Sequence, residues 1–294
     1  VTDVRLKRTV RDYLYEYRGY NGTDGKDILI REKKVENGIQ DAKMRAEDFL
    51  IVEGNKIDKK DMKKFVEKDK PTGGELLEKM LSIIDHNIKE NCIDIRLFGA
   101  TLPIEYNKDF KSSITYTGPV QFKMGRSLHP VELKFIKGTG AFASQPGASQ
   151  KTFREEHILP YSFIVFHGII NETAARHTGL SDDDAAELLN AMWNGTKNLI
   201  SRSKFGQMPR LLIRVIYKDK GFFIGDLDKK IKITGNENPL KIRKVHDFVL
   251  DITDLLNTLN SHREKIERVE YIADENLNFS TNLPDYFKKV TLLV

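Results

Sequence analysis

The chain has 294 residues, 39% hydrophobic and 31% charged, with 48 Lys and Arg against 43 Asp and Glu for a formal net charge of +5. This suits a globular protein with one full core or two modest ones, excludes a fibrous or low-complexity chain, and is too mild a charge to name an anionic partner. The single cysteine, Cys92, excludes an internal disulfide and points to a reducing, cytoplasmic setting, and no run approaches the ~18 apolar residues of a membrane span, so no membrane partner is expected.

In chain order, "TDVRLKRTVRDYLYEY" places Leu6, Val10, Tyr13, Leu14 and Tyr17 at helical spacing, with Thr2 or Asp3 to cap the start. Lys7, Arg11 and Arg18 fall on nearly one line along the opposite side of that helix. "KDILIREKKV", rich in β-branched and apolar residues, predicts a strand closed by Asn37-Gly38. Residues 39–91 predict three short helices, among them the amphipathic "GGELLEKMLSIIDHNI", and look like an inserted block. Strands are predicted at "CIDIRLFGATL", "SSITYTGPVQFKM" and "YSFIVFHGIIN". A helix follows at "SDDDAAELLNAMWNGTKNLI", capped by Ser181 with Asp182, Asp183 and Asp184 as first-turn acids, and then the strand "RLLIRVIYK". A hairpin at "GFFIGDLDKKIKIT", a helix near 245–262 and a closing strand form an appended layer. Helix, strand, strand, helix, strand is the ferredoxin-like or RRM-like β-α-β-β-α-β order with its first strand lying upstream of this sequence, an α+β fold class.

The stretch "TGPVQFKMGRSLHPVE" has the glycines and the serine of a nucleotide loop without its spacing. Six residues separate Gly118 from Gly125, Arg126 stands where the loop lysine belongs, and Pro130 cuts off the helix that must follow. A nucleoside triphosphate is therefore not expected here. Lys137 to His157 is rich in Gly, Ser, Ala and Gln, and two readings stand: a disordered surface loop, or an arm that orders on a partner. His157, His167 and His177 recur ten apart, a period that fits no metal site, and one cysteine cannot supply a zinc cluster, so neither metal nor cofactor is expected. Phe222 and Phe223 of "KGFFIG" mimic part of an RRM aromatic signature but lie after the last core strand, where packing is the expected role.

Five blocks in register carry a resemblance: "TDVRLKRTVRDY", "DIRLFGAT", "TGPVQFKMGRSLHPVE", "HILPYSFIVFHGIIN" and "RSKFGQMPRLLIRV". Over roughly residues 1–218 the chain resembles the repeated CRISPR RNA-binding backbone subunit of the Cascade surveillance complex of type I CRISPR systems, nearest the I-B branch. The resemblance implies an RRM-like palm in three pieces, 1–38, 92–136 and 158–218. It also implies an inserted helical subdomain at 39–91, a projecting thumb at 137–157 and an appended region at 219–294. The implied partners are CRISPR RNA, target DNA through guide pairing, identical subunits joined head-to-tail, and other Cascade subunits.

A protein that holds a guide must contact phosphate and sugar while leaving base edges free. Lys7 and Arg11, one helical turn apart, match positions where similar subunits carry a Lys and an Arg; the alternative is a solvated helix face. Thr2 and Arg8 join them in the candidate RNA-binding set. So do Lys123, Arg126 and Ser127, which offer donors to phosphate or 2′-OH beside Gly125, and His129, which either stacks on a base or packs in its turn. Arg202 and Lys204 follow a helix C-terminus, where the alternatives are the helix dipole and a backbone contact. In the family a thumb wedge displaces guide bases at intervals; Phe142 and then Phe153 are the candidates, against folding back onto the palm. No catalytic residue is expected. Some relatives cleave RNA with a thumb Asp, making a metal-dependent endoribonuclease the alternative function, but Lys137 to His157 contains no Asp.

Overall fold

A computed structural model describes residues 1–36, 38–139, 153–201 and 204–292. Two compact units divide the chain, one built mainly from residues 2–123 and 168–209, the other mainly from residues 124–167 and 210–291.

In the first unit the N-terminal periodicity becomes α1 (Asp3–Tyr17), capped by Thr2, whose hydroxyl accepts from the Arg5 amide at 3.2 Å. Leu6, Val10, Tyr13 and Leu14 are buried as the spacing requires, whereas Tyr17 is exposed and stacks on Tyr13. α1 packs on α6 (Asp182–Lys197) around Val10, Leu14, Leu188 and Ala191. Their approach needs Gly195, since a Cβ there would come within 3.0 Å of Tyr13 and 3.1 Å of the Thr9 carbonyl. Ser181 caps α6 in a capping box with Asp184, so the three acids act in the first turn as expected.

The block 39–91 folds as α2 (Ala42–Glu47), a 3₁₀ turn (Lys59–Phe65) and α3 (Gly73–Asn91). One face of α3, with Leu76, Met80, Ile84 and Ile88, shares a core with Phe49, Leu50, Leu102 and Ile104. Cys92 is buried in this core, and burial pushes its thiol pKa well up.

Two strand predictions in this unit hold only in part. Ile93–Phe98 is a short helix, α4, buried on nearly all sides, and the strand begins only at Gly99, pairing Gly99–Glu105 with Lys111–Thr117. A short apolar run does not distinguish a strand from a buried helix. Of the strand predicted at "KDILIREKKV", Lys34–Val35 is strand and pairs with Gly38–Ile39, whereas Lys26–Arg31 joins no named ladder. The fully buried Asp94 of α4 serves its backbone instead, accepting the Leu29 amide at 2.8 Å and the Ile30 amide at 3.1 Å. From the other side, buried Arg45 donates to the Ile28 and Leu29 carbonyls at 3.1 and 3.2 Å and pairs with Asp27. Buried backbone groups must find partners, and here charged side chains replace a neighbouring strand.

Asp48 anchors the same region, accepting from Lys33 at 2.7 Å, Lys56 at 2.6 Å and Arg45 at 3.2 Å. Burial pushes its carboxyl pKa up, but the lysine hydrogen bonds outweigh burial and hold it well below the usual range. A pKa depressed by folding stabilises the protein above the unfolded value of about 3.9, and the contribution is lost as pH falls toward the folded value. Thermal stability should therefore decline from about pH 5 downward, and Asp48→Asn should flatten that decline. Equal pH slopes for the two proteins between about pH 5 and 2 would show that Asp48 contributes nothing.

In the second unit Leu211–Tyr217 forms the predicted strand, antiparallel to Ile266–Ala273, with Phe287–Lys289 added in parallel. The helix expected near 245–262 is shorter, α7 (Thr253–Ser261), because Val249–Asp251 is a strand. That strand pairs with Lys232–Thr234, so the predicted "GFFIGDLDKKIKIT" hairpin is replaced by a longer-range ladder after a 3₁₀ turn at Leu227–Lys230. Phe222 packs into the core as expected, but Phe223 is 61% exposed. Both ends of the segment predicted as irregular, Lys137 to His157, are strand. Lys134–Thr139 and Phe153–Ile158 form an antiparallel ribbon, with Phe135 opposite His157, and Glu155, Glu156 and His157 lie within it. Leu133, Phe135, Ile136, Ile158 and Leu159 at this ribbon are exposed.

The architecture is α+β. No ladder exceeds three strands among the described residues, and the palm strands predicted from sequence pair in separate small ladders. Among the described residues no helix is long and apolar enough to cross a membrane.

Candidate nucleic-acid interface

The basic line on α1 is not a solvated face. Lys7 is only 15% exposed, 3.4 Å from Asp3 and over the Phe98 ring. Arg11, 11% exposed, donates through Nε to Asp94 at 2.9 Å and lies 5.1 Å over the same ring. Arg18 forks onto Glu187 with bonds of 2.7 and 3.1 Å, and that hydrogen bond raises its pKa. The alternative of a solvated helix face is therefore corrected for Arg11, which neutralises a buried carboxylate. Arg8 remains exposed, bonded to Asp12 at 2.6 Å, while Thr2 is occupied as the helix cap. Lys123 is exposed at the end of the strand Val120–Phe122.

The glycines of "TGPVQFKMGRSLHPVE" serve packing. A Cβ on Gly118 would come within 2.1 Å of the Phe98 backbone, and one on Gly125 within 2.5 Å of the Phe166 ring. Arg126–Ser127 forms a short antiparallel pairing with Ile164–Val165. Ser127 donates to the His129 carbonyl at 2.7 Å. Of the two roles left open for His129, the structure places it in the turn. The ring is buried, Nε2 accepts the Phe163 amide at 3.2 Å, Nδ1 lies 2.8 Å from the Pro130 carbonyl, and Tyr161 stacks on it. With Nε2 accepting that amide, Nδ1 is left to donate to the Pro130 carbonyl.

Arg126 reaches outward beside residues that sequence reading missed. With Lys229, Lys232, Leu128, Ile231 and Ile233 it lines an open groove of about 550 Å³. Arg126 donates to the Asp228 carbonyl at 3.3 Å, Lys229 lies 3.3 Å from Asp226, and Lys232 bonds to Asp254 at 2.6 Å. The lysine pairs are exposed at both ends, so they are cheap to exchange for a phosphate. The alternation in "KKIKIT", aliphatics toward the core and lysines outward, is the signal that could have revealed this lip.

After α6 the chain turns at Lys204–Gly206. Lys204 is half-buried, and its amide and that of Phe205 both donate to the Ser201 carbonyl at 3.1 Å. Arg202 and the wedge candidate Phe142 lie outside the described residues, and Phe153 is described only as a backbone position opposite Thr139. Among the described residues no three His, Cys, Asp or Glu side chains group as a metal site.

Residues 1–253 match the family described as CRISPR-associated protein Cas7. A CRISPR-associated protein Cas7 from Haloferax volcanii is 30% identical over 292 residues, covering 94% of this chain and 77% of the relative. A solved chain of a CRISPR RNA-guided surveillance complex, pre-nicking, superposes with a TM-score of 0.51 at 13% identity, over 99% of this chain and 86% of that one. At that identity the likeness is one of fold.

Proposed function

Because the chain belongs to the CRISPR-associated protein Cas7 family, we propose that it is a non-catalytic backbone subunit of a type I Cascade complex. It binds CRISPR RNA, repeats head-to-tail along the guide with other Cascade subunits beside it, and leaves the bases free to pair with target DNA. The observation that carries this reading is the 30% identity to a Cas7 protein sustained across 94% of the chain. In this reading the α+β core is an RRM-like palm, the block 39–91 its helical insertion and the ribbon at 134–158 the base of a thumb. The exposed Leu133, Phe135 and Ile158 on that ribbon suit contact with a second copy, since clustered apolar side chains left in solvent mark interaction surfaces.

Guide contacts are assigned to Lys7, Arg8, Lys123, Arg126, Ser127 and Lys204, with Lys229 and Lys232 added by the groove. Arg11 contributes to the same helix face while serving the fold, and His129 is assigned to the turn. RNA cleavage is the lesser reading because Lys137 to His157 carries no Asp.

Coexpression with a CRISPR array tests the proposal. RNA of one defined length should copurify with several protein copies per molecule, and its sequence should matter little because backbone contacts do not read bases. Clean protein with a low 260 to 280 nm absorbance ratio, or affinities differing by orders of magnitude between unrelated spacers, would overturn it.

A further inference from the structure

Every cation that lines the open groove of the second unit already faces a carboxylate. Lys232 Nζ bonds to Asp254 at 2.6 Å, Lys229 Nζ lies 3.3 Å from Asp226, and Arg126 lies 3.9 Å from Asp228. The remaining lining residues, Leu128, Ile231 and Ile233, are aliphatic. A phosphate entering this groove must therefore displace a carboxylate to gain a lysine.

The two lysine pairs are not part of the packing. Both partners are exposed, at 64 and 54% for Lys229 and Asp226 and at 61 and 52% for Lys232 and Asp254, and such pairs add little to stability. Asp228 differs: its side chain is 11% exposed and lies 3.3 Å from His167 Nδ1, so it belongs to the fold. The two exposed carboxylates come from different elements. Asp226 precedes the 3₁₀ turn Leu227–Lys230 with φ +54°, while Asp254 stands in the first turn of α7. At Lys232 the hydrogen bond to Asp254 raises the ammonium pKa, so the carboxylate already holds the charge that a phosphate would seek.

We infer that Asp226 and Asp254 are built-in competitors for the groove, occupying Lys229 and Lys232 in the free protein and giving way when the phosphates of an RNA strand enter. The inference rests on the RNA-binding reading above and adds a control on the affinity of that site. A displaced carboxylate stays near the phosphate that replaced it and repels it, which weakens the contact further. The consequence is modest binding per copy, so that tight holding needs several copies on one strand, because linked sites together bind more tightly than any one of them.

The test measures binding of a labelled single-stranded RNA oligonucleotide to the full chain by fluorescence anisotropy. Asp226→Asn and Asp254→Asn remove the charge and keep the shape, and Asn tolerates the left-handed backbone at position 226. Each should tighten binding about two- to fivefold, with the melting temperature nearly unchanged. Two controls separate local competition from net charge. Asp285→Asn, at an exposed acid that pairs with none of these cations, should leave the affinity as it is. In a Lys232→Ala background, Asp254→Asn should no longer have any effect. If wild type does not bind the RNA, the RNA-binding reading fails and this inference falls with it. If wild type binds and neither Asn variant binds more tightly, the inference alone is overturned. It is overturned equally if Asp285→Asn tightens binding as much, or if the Asp254→Asn gain persists without Lys232, since the effect then belongs to the overall charge.

Discussion

Asp94→Ala should be among the most destabilising single substitutions in the first unit, costing about 3–5 kcal/mol. The carboxylate is fully buried and accepts three donors, the Leu29 amide, the Ile30 amide and Arg11 Nε, at 2.8, 3.1 and 2.9 Å. Truncation strands a nearly buried guanidinium and two backbone N–H groups at once, and an unsatisfied buried group costs far more than the net worth of the bond it lost. Arg11→Ala should fall in the same range, because it leaves the carboxylate uncompensated. For a unit of this size each kcal/mol lowers the melting temperature by about 2–4 °C, so a fall of roughly 10 °C is expected for either variant. Lys7→Ala, whose 3.4 Å pair with Asp3 lies within one helical turn, should cost under about 1 kcal/mol. Urea midpoints measured on the three variants check this. A shift under about 1 kcal/mol for Asp94→Ala would show that the network is not what orders Leu29 and Ile30. An RNA-binding defect in an Arg11 variant consequently has meaning only at a temperature where that variant is folded.

Combined Arg126→Ala, Lys229→Ala and Lys232→Ala should cut the salt dependence of RNA binding while leaving stability nearly unchanged. Each phosphate contact on a single strand contributes about 0.7 to the slope of log affinity against log salt, so three lost contacts should reduce that slope by about 2. The affinity loss should be large at low salt and shrink as salt rises, since counterion release is what these side chains supply. All three are exposed, the lysines pair with exposed carboxylates, and Arg126 lies a loose 3.9 Å from the largely buried Asp228 carboxylate, so the melting temperature should move by a few degrees at most. An unchanged slope would remove the groove from the RNA path and leave Arg126 with only its contact to Asp228. A large fall in melting temperature would instead reassign the lysines to structure.

α1, α3, α6 and the strand Leu211–Tyr217 were legible in the sequence because their signals are local. A helical face repeats within one or two turns, and Thr2 and Ser181 cap amides three residues away. The family resemblance was legible too, since five short blocks keep their order whatever their fold. Tertiary structure decided the rest. Arg11 reads as one of a solvated basic row until α4, 83 residues on, brings Asp94 against it. Lys26–Arg31 reads as a strand because Ile28 and Leu29 are apolar, yet its partners are the side chains of Asp94 and Arg45 rather than another strand. Gly118 and Gly125 suggest a loop open to a ligand, but the space a Cβ would need is filled by the Phe98 backbone and the Phe166 ring. Lys229 and Lys232 become an interface candidate only when the fold sets them beside Arg126. Periodicity and capping act across a single turn of backbone and are written residue by residue. The pairing of charges and the placing of a ring against a glycine depend on which distant segments meet, and only packing determines that.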